Sequence, residues 1–150
     1  MNDIRILLVE DNEGDILLTK EALEEAKIRI ILDVVKDGKQ AIDFLNKQDG
    51  FSQAIMPDLM LLDVNLPKRN GHEVLKYVKN SEHLKHIPVI MLTTSSSEKD
   101  INQSYANYAN CYVTKPVEVS DFLNVVSTIE TFWISIVKLP TAKYIMSDER

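Results

Sequence analysis

Two apolar runs of the chain lead directly into carboxylates. The run at residues 4–9 is followed by Glu10 and Asp11, and the run at residues 59–62 is followed by Asp63. Three carboxylates held within a few ångströms repel one another, so such a cluster favours a hard divalent cation with oxygen ligands, Mg²⁺ or Mn²⁺. With a metal ion neutralising the cluster, one aspartate can attack a phosphoryl group. The pattern therefore indicates metal-assisted phosphoryl chemistry.

Two further polar residues follow apolar runs in the second half of the chain. Thr93 closes the run at 89–92, and Lys115 follows the run at 111–113. A hydroxyl can hydrogen-bond a phosphoryl oxygen, and an ammonium can pair with it as a compact point charge. Each residue alone is more often a turn or strand residue, but their joint occurrence after four runs favours a site. Asp15 is expected to be a helix N-terminal carboxylate favoured by the helix dipole, with a metal role secondary.

The elements that must position these residues are short strands. Near-continuous apolar runs, which are typical of strands buried on both faces, occur at residues 4–9, 30–35, 59–62, 89–92 and 111–113. Segments with helical spacing separate them. Asp37-Gly38 and Asn70-Gly71 mark element boundaries, and Ser97 is a candidate N-cap of the fourth helix. The alternation predicts an α/β fold, a (βα)5 doubly wound parallel sheet, and we expect its strands to follow the flavodoxin-like order 2-1-3-4-5, in which the carboxylates would meet. In such a sheet ligands bind beyond the carboxyl ends of the strands, where the candidate residues lie.

Composition narrows the class of protein. The chain has 150 residues, a formal net charge of −6 and a single cysteine, Cys111. We expect one domain over residues 1–140 and a frayed polar tail over residues 141–150. The acidic balance argues against direct binding of nucleic acid or an anionic membrane, and no apolar run reaches the length of a membrane span. With no leader segment and no disulfide, a cytoplasmic location is expected.

Four motifs carry a resemblance to a known family. They read ILLVEDNEGD, PDLMLLDVNLPKRNG, IPVIMLTT and YVTKP. The chain resembles the receiver domains of two-component response regulators over nearly its whole length. The resemblance implies that Asp63 is the phosphoacceptor and becomes a 4-aspartylphosphate. It also implies that Asp11, Asp63 and the backbone carbonyl of Asn65 ligate Mg²⁺, with Glu10 contributing through water.

The same resemblance assigns a switch. It implies that Thr93 and Lys115 sense the phosphoryl group and that Tyr112 is an aromatic residue whose orientation follows Thr93. It further favours a cis Lys115–Pro116 bond that would aim the lysine into the cleft. A protein of this family is a phosphoacceptor that assists its own phosphorylation and dephosphorylation, rather than an enzyme.

A narrower resemblance concerns partners. The segments LTTSSSEKDI, SYANYANCYVTKP and IETFWISIVKLP look like the small stand-alone regulators of cyanobacterial phytochromes and bacteriophytochrome histidine kinases. This implies a sensor histidine kinase of the phytochrome type as partner, with output by protein contact. In the last helix we expect Phe122, Val126, Ile129 and Trp133 to belong to the core.

The remaining apolar residues of the last helix suggest self-association. Val125, Phe132 and Ile136 widen the apolar stripe beyond what one sheet-facing side requires. We therefore expect a homodimer through the fourth helix, fifth strand and fifth helix, in which Tyr105 and Tyr108 either take part or simply pack.

Two other classes of protein remain open from the residues alone. Asp63-Val64-Asn65 is similar to the Asp-x-Asp motif of metal-dependent phosphatases with an aspartyl-phosphate intermediate. Asn65 stands where their acid/base aspartate is needed, however, and the chain has no room for a cap domain. A flavodoxin-like cofactor binder is the second alternative, but no phosphate-binding loop follows the first strand.

Overall fold

The computed structural model describes residues 3–140. Strands and helices alternate along the chain, in the order β1 (Ile4–Val9), α1 (Glu13–Glu24), β2 (Ile30–Val35), α2 (Gly38–Leu45), β3 (Leu59–Leu62), α3 (Gly71–Lys79), β4 (Val89–Thr93), α4 (Glu98–Ala106), β5 (Cys111–Thr114) and α5 (Val119–Glu130). A π-helical segment, Thr131–Ile136, continues α5. The predicted sequence of elements is confirmed, because each apolar run forms a strand.

All five strands are parallel and lie in one sheet with the order β2-β1-β3-β4-β5. The predicted flavodoxin-like α/β fold is thereby confirmed. Two separate apolar clusters cover the two faces of the sheet. α2 and α3 contribute to one cluster, and α1 and α5 contribute to the other. The sheet is therefore buried on both faces, which explains why its strands read as continuous apolar runs rather than alternating ones.

Strand register aligns the candidate site residues. Val9 pairs with Leu62, so the residues that follow them, Glu10 and Asp63, leave the sheet side by side. Thr93 pairs with Thr114, which places Lys115 at the same carboxyl edge.

Polar side chains start four of the five helices. Asn12, Asp37, Asn70 and Ser97 each accept a hydrogen bond from the backbone N–H three residues further on. Asn70 forms a full capping box with Glu73. The predicted boundaries before α2, α3 and α4 are confirmed, since these caps satisfy N–H groups that a helix start leaves without partners.

Two glycines allow close approach near the carboxyl edge. A Cβ atom on Gly71 would lie 2.0 Å from the carbonyl oxygen of Asp63, and one on Gly38 would lie 1.9 Å from that of Arg69. α3 therefore starts in contact with the end of β3, and α2 starts in contact with the loop that connects β3 to α3.

The last helix divides as expected for most of its residues. Phe122, Val126 and Ile129 are buried, and Trp133 is partly buried against the same cluster. Val125 also packs partly against this cluster. The exposed large apolar side chains of α5 and the segment after it are Val119, Phe132 and Ile136, at 55%, 49% and 63% exposure.

One expectation about the backbone is wrong. No cis peptide bond occurs in the described residues, so the Lys115–Pro116 bond is trans. A trans X–Pro bond is the more stable form by roughly 0.5–1 kcal/mol, and the Lys115 side chain reaches the carboxylates from this conformation. No helix within residues 3–140 is long and apolar enough to cross a membrane. The expected frayed tail, residues 141–150, lies outside the described residues.

Candidate functional site

Three carboxylates converge at the carboxyl edge of the sheet. Glu10, Asp11 and Asp63 each offer an oxygen within 4.8 Å of the other two. Glu10 and Asp63 are buried, at 2% and 6% exposure, whereas Asp11 is exposed. β1 and β3 are neighbours in the sheet, so their ends bring together residues that lie more than fifty positions apart. The cluster predicted from the sequence is present.

Lys115 lies inside this cluster. Its ammonium hydrogen-bonds Asp15 at 2.9 Å and Asp63 at 3.1 Å, and it makes a short contact with Glu10. An ammonium has three N–H donors, so each of them has a carboxylate partner. The side chain is only 4% exposed. Lys115 is therefore fixed beside the carboxylate of Asp63.

The electrostatics of the site leave an excess of negative charge. Burial raises the pKa of Glu10 to about 7, against the opposing effect of its hydrogen bond to Lys115. For Lys115, burial disfavours the charge, but the hydrogen bonds to Glu10 and Asp15 outweigh it and raise its pKa. Lys115 is the one cation in contact with Glu10, Asp15 and Asp63 among the described residues. An all-oxygen donor set with surplus negative charge fits a hard divalent ion such as Mg²⁺ or Mn²⁺.

Thr93 and Tyr112 meet at the loop after β4. The Thr93 side chain is completely buried, and its hydroxyl accepts a hydrogen bond from the N–H of Ser95 at 3.4 Å. The Tyr112 hydroxyl donates to the carbonyl oxygen of Ser95 at 2.8 Å. The backbone carbonyl of Thr93 also accepts from the N–H of Lys115 at 2.7 Å. Both expected switch residues thus contact one residue, Ser95.

The loop after β3 closes the site on another side. The N–H of Asn65 donates to Oδ1 of Asp63 at 3.2 Å, and the N–H of Gly71 donates to the carbonyl of Val64 at 2.8 Å. Asn65 is exposed. Its backbone N–H therefore lies beside the carboxylate of Asp63.

Comparison with known proteins identifies the family. Residues 6–127 match the family described as the response regulator receiver domain. The chain belongs to this family. The receiver is 44% identical to response regulator Rcp1 of Synechocystis sp. over 137 residues, which span 91% of this chain and 93% of Rcp1. Membership favours a two-component receiver over both alternatives raised by the sequence. Acceptance of a phosphoryl group on an aspartate is a general feature of such receivers.

Solved structures agree with this assignment. The receiver superimposes on the phosphorylated cyanobacterial phytochrome response regulator RcpA with a TM-score of 0.91 and 43% identity, covering 93% of this chain and all of RcpA. It superimposes on the Mn²⁺-bound form of Rcp1 with a TM-score of 0.90 and 43% identity, covering 92% of this chain and 99% of Rcp1. The similarity to phytochrome-associated regulators predicted from the motifs is confirmed.

Two features of the receiver escaped sequence reasoning. Asp15 lies in the first turn of α1, as expected, but its carboxylate binds Lys115, which is 100 positions away. His72 and Asp100, on α3 and α4, form a hydrogen bond of 2.8 Å. No local pattern marks either pair, because the partners belong to different elements and only the fold brings them together.

Proposed function

We propose that Asp63 accepts a phosphoryl group from a sensor histidine kinase. The carboxylate of Asp63 lies beside oxygen atoms of Glu10 and Asp11 and is hydrogen-bonded to Lys115, and this arrangement carries the proposal. Glu10, Asp11, Asp63 and the carbonyl of Asn65 would hold Mg²⁺ or Mn²⁺, with Glu10 acting through water. The ion would neutralise charge on the transferring group.

Asp63 and Lys115 perform the transfer. A carboxylate oxygen of Asp63 attacks the phosphorus of phosphohistidine, the new O–P bond forms as the P–N bond breaks, and the imidazole nitrogen leaves with the electron pair. Lys115 keeps its charge because of its carboxylate partners, so its ammonium can pair with the incoming phosphoryl oxygens. The receiver therefore assists its own phosphorylation without being an enzyme that turns over an external substrate.

The signal then passes to the surface. Thr93 would turn its hydroxyl to a phosphoryl oxygen, and Tyr112 would follow through their shared neighbour Ser95. The surface formed by α4, β5 and α5 would thereby change its affinity for a protein partner. We propose output by protein contact, with neither nucleic acid nor membrane as a direct target.

The deciding experiment is intact mass after incubation with acetyl phosphate and Mg²⁺. We expect a gain of one phosphoryl mass on the native chain, no gain on Asp63→Asn, and no gain when EDTA replaces Mg²⁺. Asp58→Asn is the matched control, since Asp58 accepts a hydrogen bond from the N–H of Arg5 at the opposite end of β3. An adduct that persists in Asp63→Asn would overturn the assignment of the acceptor.

The identity of the kinase is a further part of the proposal. Similarity to RcpA and Rcp1 supports a phytochrome-type kinase acting in the cytoplasm. The test is the rate of phosphotransfer from a phosphorylated phytochrome kinase compared with that from an unrelated histidine kinase. Equal rates from both would argue against phytochrome specificity.

We also propose a homodimer through α4, β5 and α5. Tyr105 lies in α4 and Tyr108 lies in the turn after it, and both side chains are exposed. Phe132 and Ile136, beyond α5, are exposed as well. Replacing both Phe132 and Ile136 with Ser should lower the mass measured by light scattering at micromolar concentration to that of a monomer. Leu17→Ser, on α1, is the control because Leu17 is 65% exposed on a different helix. A native chain that stays monomeric throughout this range would exclude the dimer.

A further inference from the structure

A network of hydrogen bonds connects α3, α4 and the switch loop, which we define as residues 94–97 between β4 and α4. Nε2 of His72 lies 2.8 Å from Oδ1 of Asp100. Oδ2 of the same carboxylate accepts a hydrogen bond from the hydroxyl of Ser95 at 2.5 Å. One carboxylate thus joins the first turn of α3 to the middle of the switch loop.

His72 is a fixed point of this network. It is buried, and it directly follows Gly71, whose Cα approaches the backbone of Asp63 so closely that no Cβ fits. Nδ1 of the ring has no hydrogen-bond partner within residues 3–140. The contact with Asp100 is therefore the ring's single polar interaction there, and it requires the proton on Nε2 because a carboxylate only accepts.

Asp100 is held as a carboxylate. Hydrogen bonds from Ser95 and then from His72 keep its pKa below the usual range. Its backbone N–H donates to the hydroxyl of Ser97, the cap of α4, at 3.1 Å. The charged group is thereby tied to the start of α4 as well as to the loop.

Ser95 carries the other end of the network to the switch residues. Its N–H donates to the hydroxyl of Thr93, and its carbonyl oxygen accepts from the hydroxyl of Tyr112. Any displacement of Ser95 therefore moves the acceptor that fixes the Tyr112 ring. Hydrophobic packing restrains this region weakly, because Ser104 is the one fully buried residue of α4.

We propose that His72 is a positioning residue that latches Ser95, through Asp100, and so holds Tyr112 in the conformation seen here. The latch sets how readily phosphorylation at Asp63 moves the switch, and in that respect it rests on the proposed function. Loss of the Nε2 donor lowers the free energy needed to rearrange the loop. The population of the rearranged form relative to the form seen here then rises by the factor that corresponds to this change in free energy.

The test compares His72→Leu with His72→Gln. Leucine fills the buried site without a donor, whereas the amide of glutamine places an N–H near the position of Nε2. In 3-fluorotyrosine-labelled protein, with the Tyr112 signal assigned by Tyr112→Phe, His72→Leu should move that signal toward its position in the phosphorylated native chain. The initial rate of phosphorylation by acetyl phosphate should rise about five-fold, the equivalent of one hydrogen bond. His72→Gln should match the native chain in both measurements.

A second variant keeps the test valid if His72→Leu is poorly folded. Ser95→Ala removes the hydroxyl that Asp100 accepts from, so it should reproduce the shift of the Tyr112 signal, and adding His72→Leu should change it no further. A native-like signal and rate in His72→Leu would overturn the latch, as would His72→Gln behaving like His72→Leu. Failure of the native chain to gain a phosphoryl mass would instead overturn the proposed function, so the two failures are distinguishable.

Discussion

Gly71→Ala is expected to destabilise the fold, although alanine is the better helix former. Gly71 is the first residue of α3. Its added Cβ would lie 2.0 Å from the carbonyl oxygen of Asp63, and 2.8 Å from both the carbonyl carbon of Asp63 and Cα of Val64. All three neighbours are backbone atoms, so no side-chain rotation relieves the contact. Either α3 or the end of β3 must move.

The size of the effect follows from this distance. A carbon atom and a carbonyl oxygen need more than 3 Å, so the displacement exceeds about 1 Å, and overpacking of this kind typically costs about 1–3 kcal/mol. Because backbone must shift, we expect the upper end of that range. Helix propensity returns at most about 1 kcal/mol. The net loss of about 2 kcal/mol corresponds to a fall in Tm of roughly 4–8 °C for a chain of this size.

Urea unfolding of the metal-free protein, followed by circular dichroism, measures this loss. Gly14→Ala is the matched control, because Gly14 lies in the first turn of α1 and its Cβ would meet only the side-chain oxygen of Asn12, at 3.3 Å. We expect the control to stay within about 1 kcal/mol of the native chain. If Gly71→Ala proved as stable as Gly14→Ala, the backbone of α3 would not approach the end of β3 as closely as the distance to Asp63 indicates.

Three further predictions concern stability. Burial raises the pKa of Glu10 to about 7, so its native state binds an extra proton between pH 4.5 and 7. Without divalent ions, the free energy of unfolding of the native chain should therefore fall by about 3 kcal/mol relative to that of Glu10→Gln as pH rises through this window. A difference between the two proteins in urea unfolding that does not change with pH would contradict this prediction. Burial lowers the pKa of Lys79 to about 8. The free energy of unfolding of the native chain should therefore rise by roughly 1–2 kcal/mol relative to that of Lys79→Met as pH rises from 8 to 10.5. A rise on acidification instead would refute this prediction. Ser97→Ala removes the cap of α4 and should cost about 1 kcal/mol, seen as faster hydrogen exchange over residues 98–106; unchanged exchange there would show that the cap contributes nothing.

The sheet was predictable because its strands are buried on both faces. Helices cover each side, so the runs at β1 and β3 contain only apolar residues apart from Arg5. The polar residues at the ends of such runs stand out, and a parallel sheet must place those ends along one edge. For this reason the amino-acid sequence alone assigns Glu10, Asp63 and Lys115 to one site.

The partners within the site were not predictable in the same way. Lys115 was expected to face a phosphoryl group, but its third carboxylate partner, Asp15, depends on how α1 packs against α5 and β2. The trans bond before Pro116 was not predicted either, and the lysine reaches its partners without the cis form that the family resemblance favoured. Local sequence constrains neither the packing of α1 nor the path of a four-carbon side chain.

α4 shows why the least predictable element suits the role proposed for it. α3 buries five residues, whereas α4 buries one, Ser104. Because α4 has no apolar stripe in the sequence, its position was predicted mainly from the candidate N-cap Ser97. Its start is held instead by polar contacts, those of Asp100 with His72 and Ser95. Such contacts can be exchanged at a small cost in free energy because little apolar surface is exposed when they break. A helix restrained in this way could shift on the proposed phosphorylation of Asp63, while the sheet and the helices packed against it stay in place.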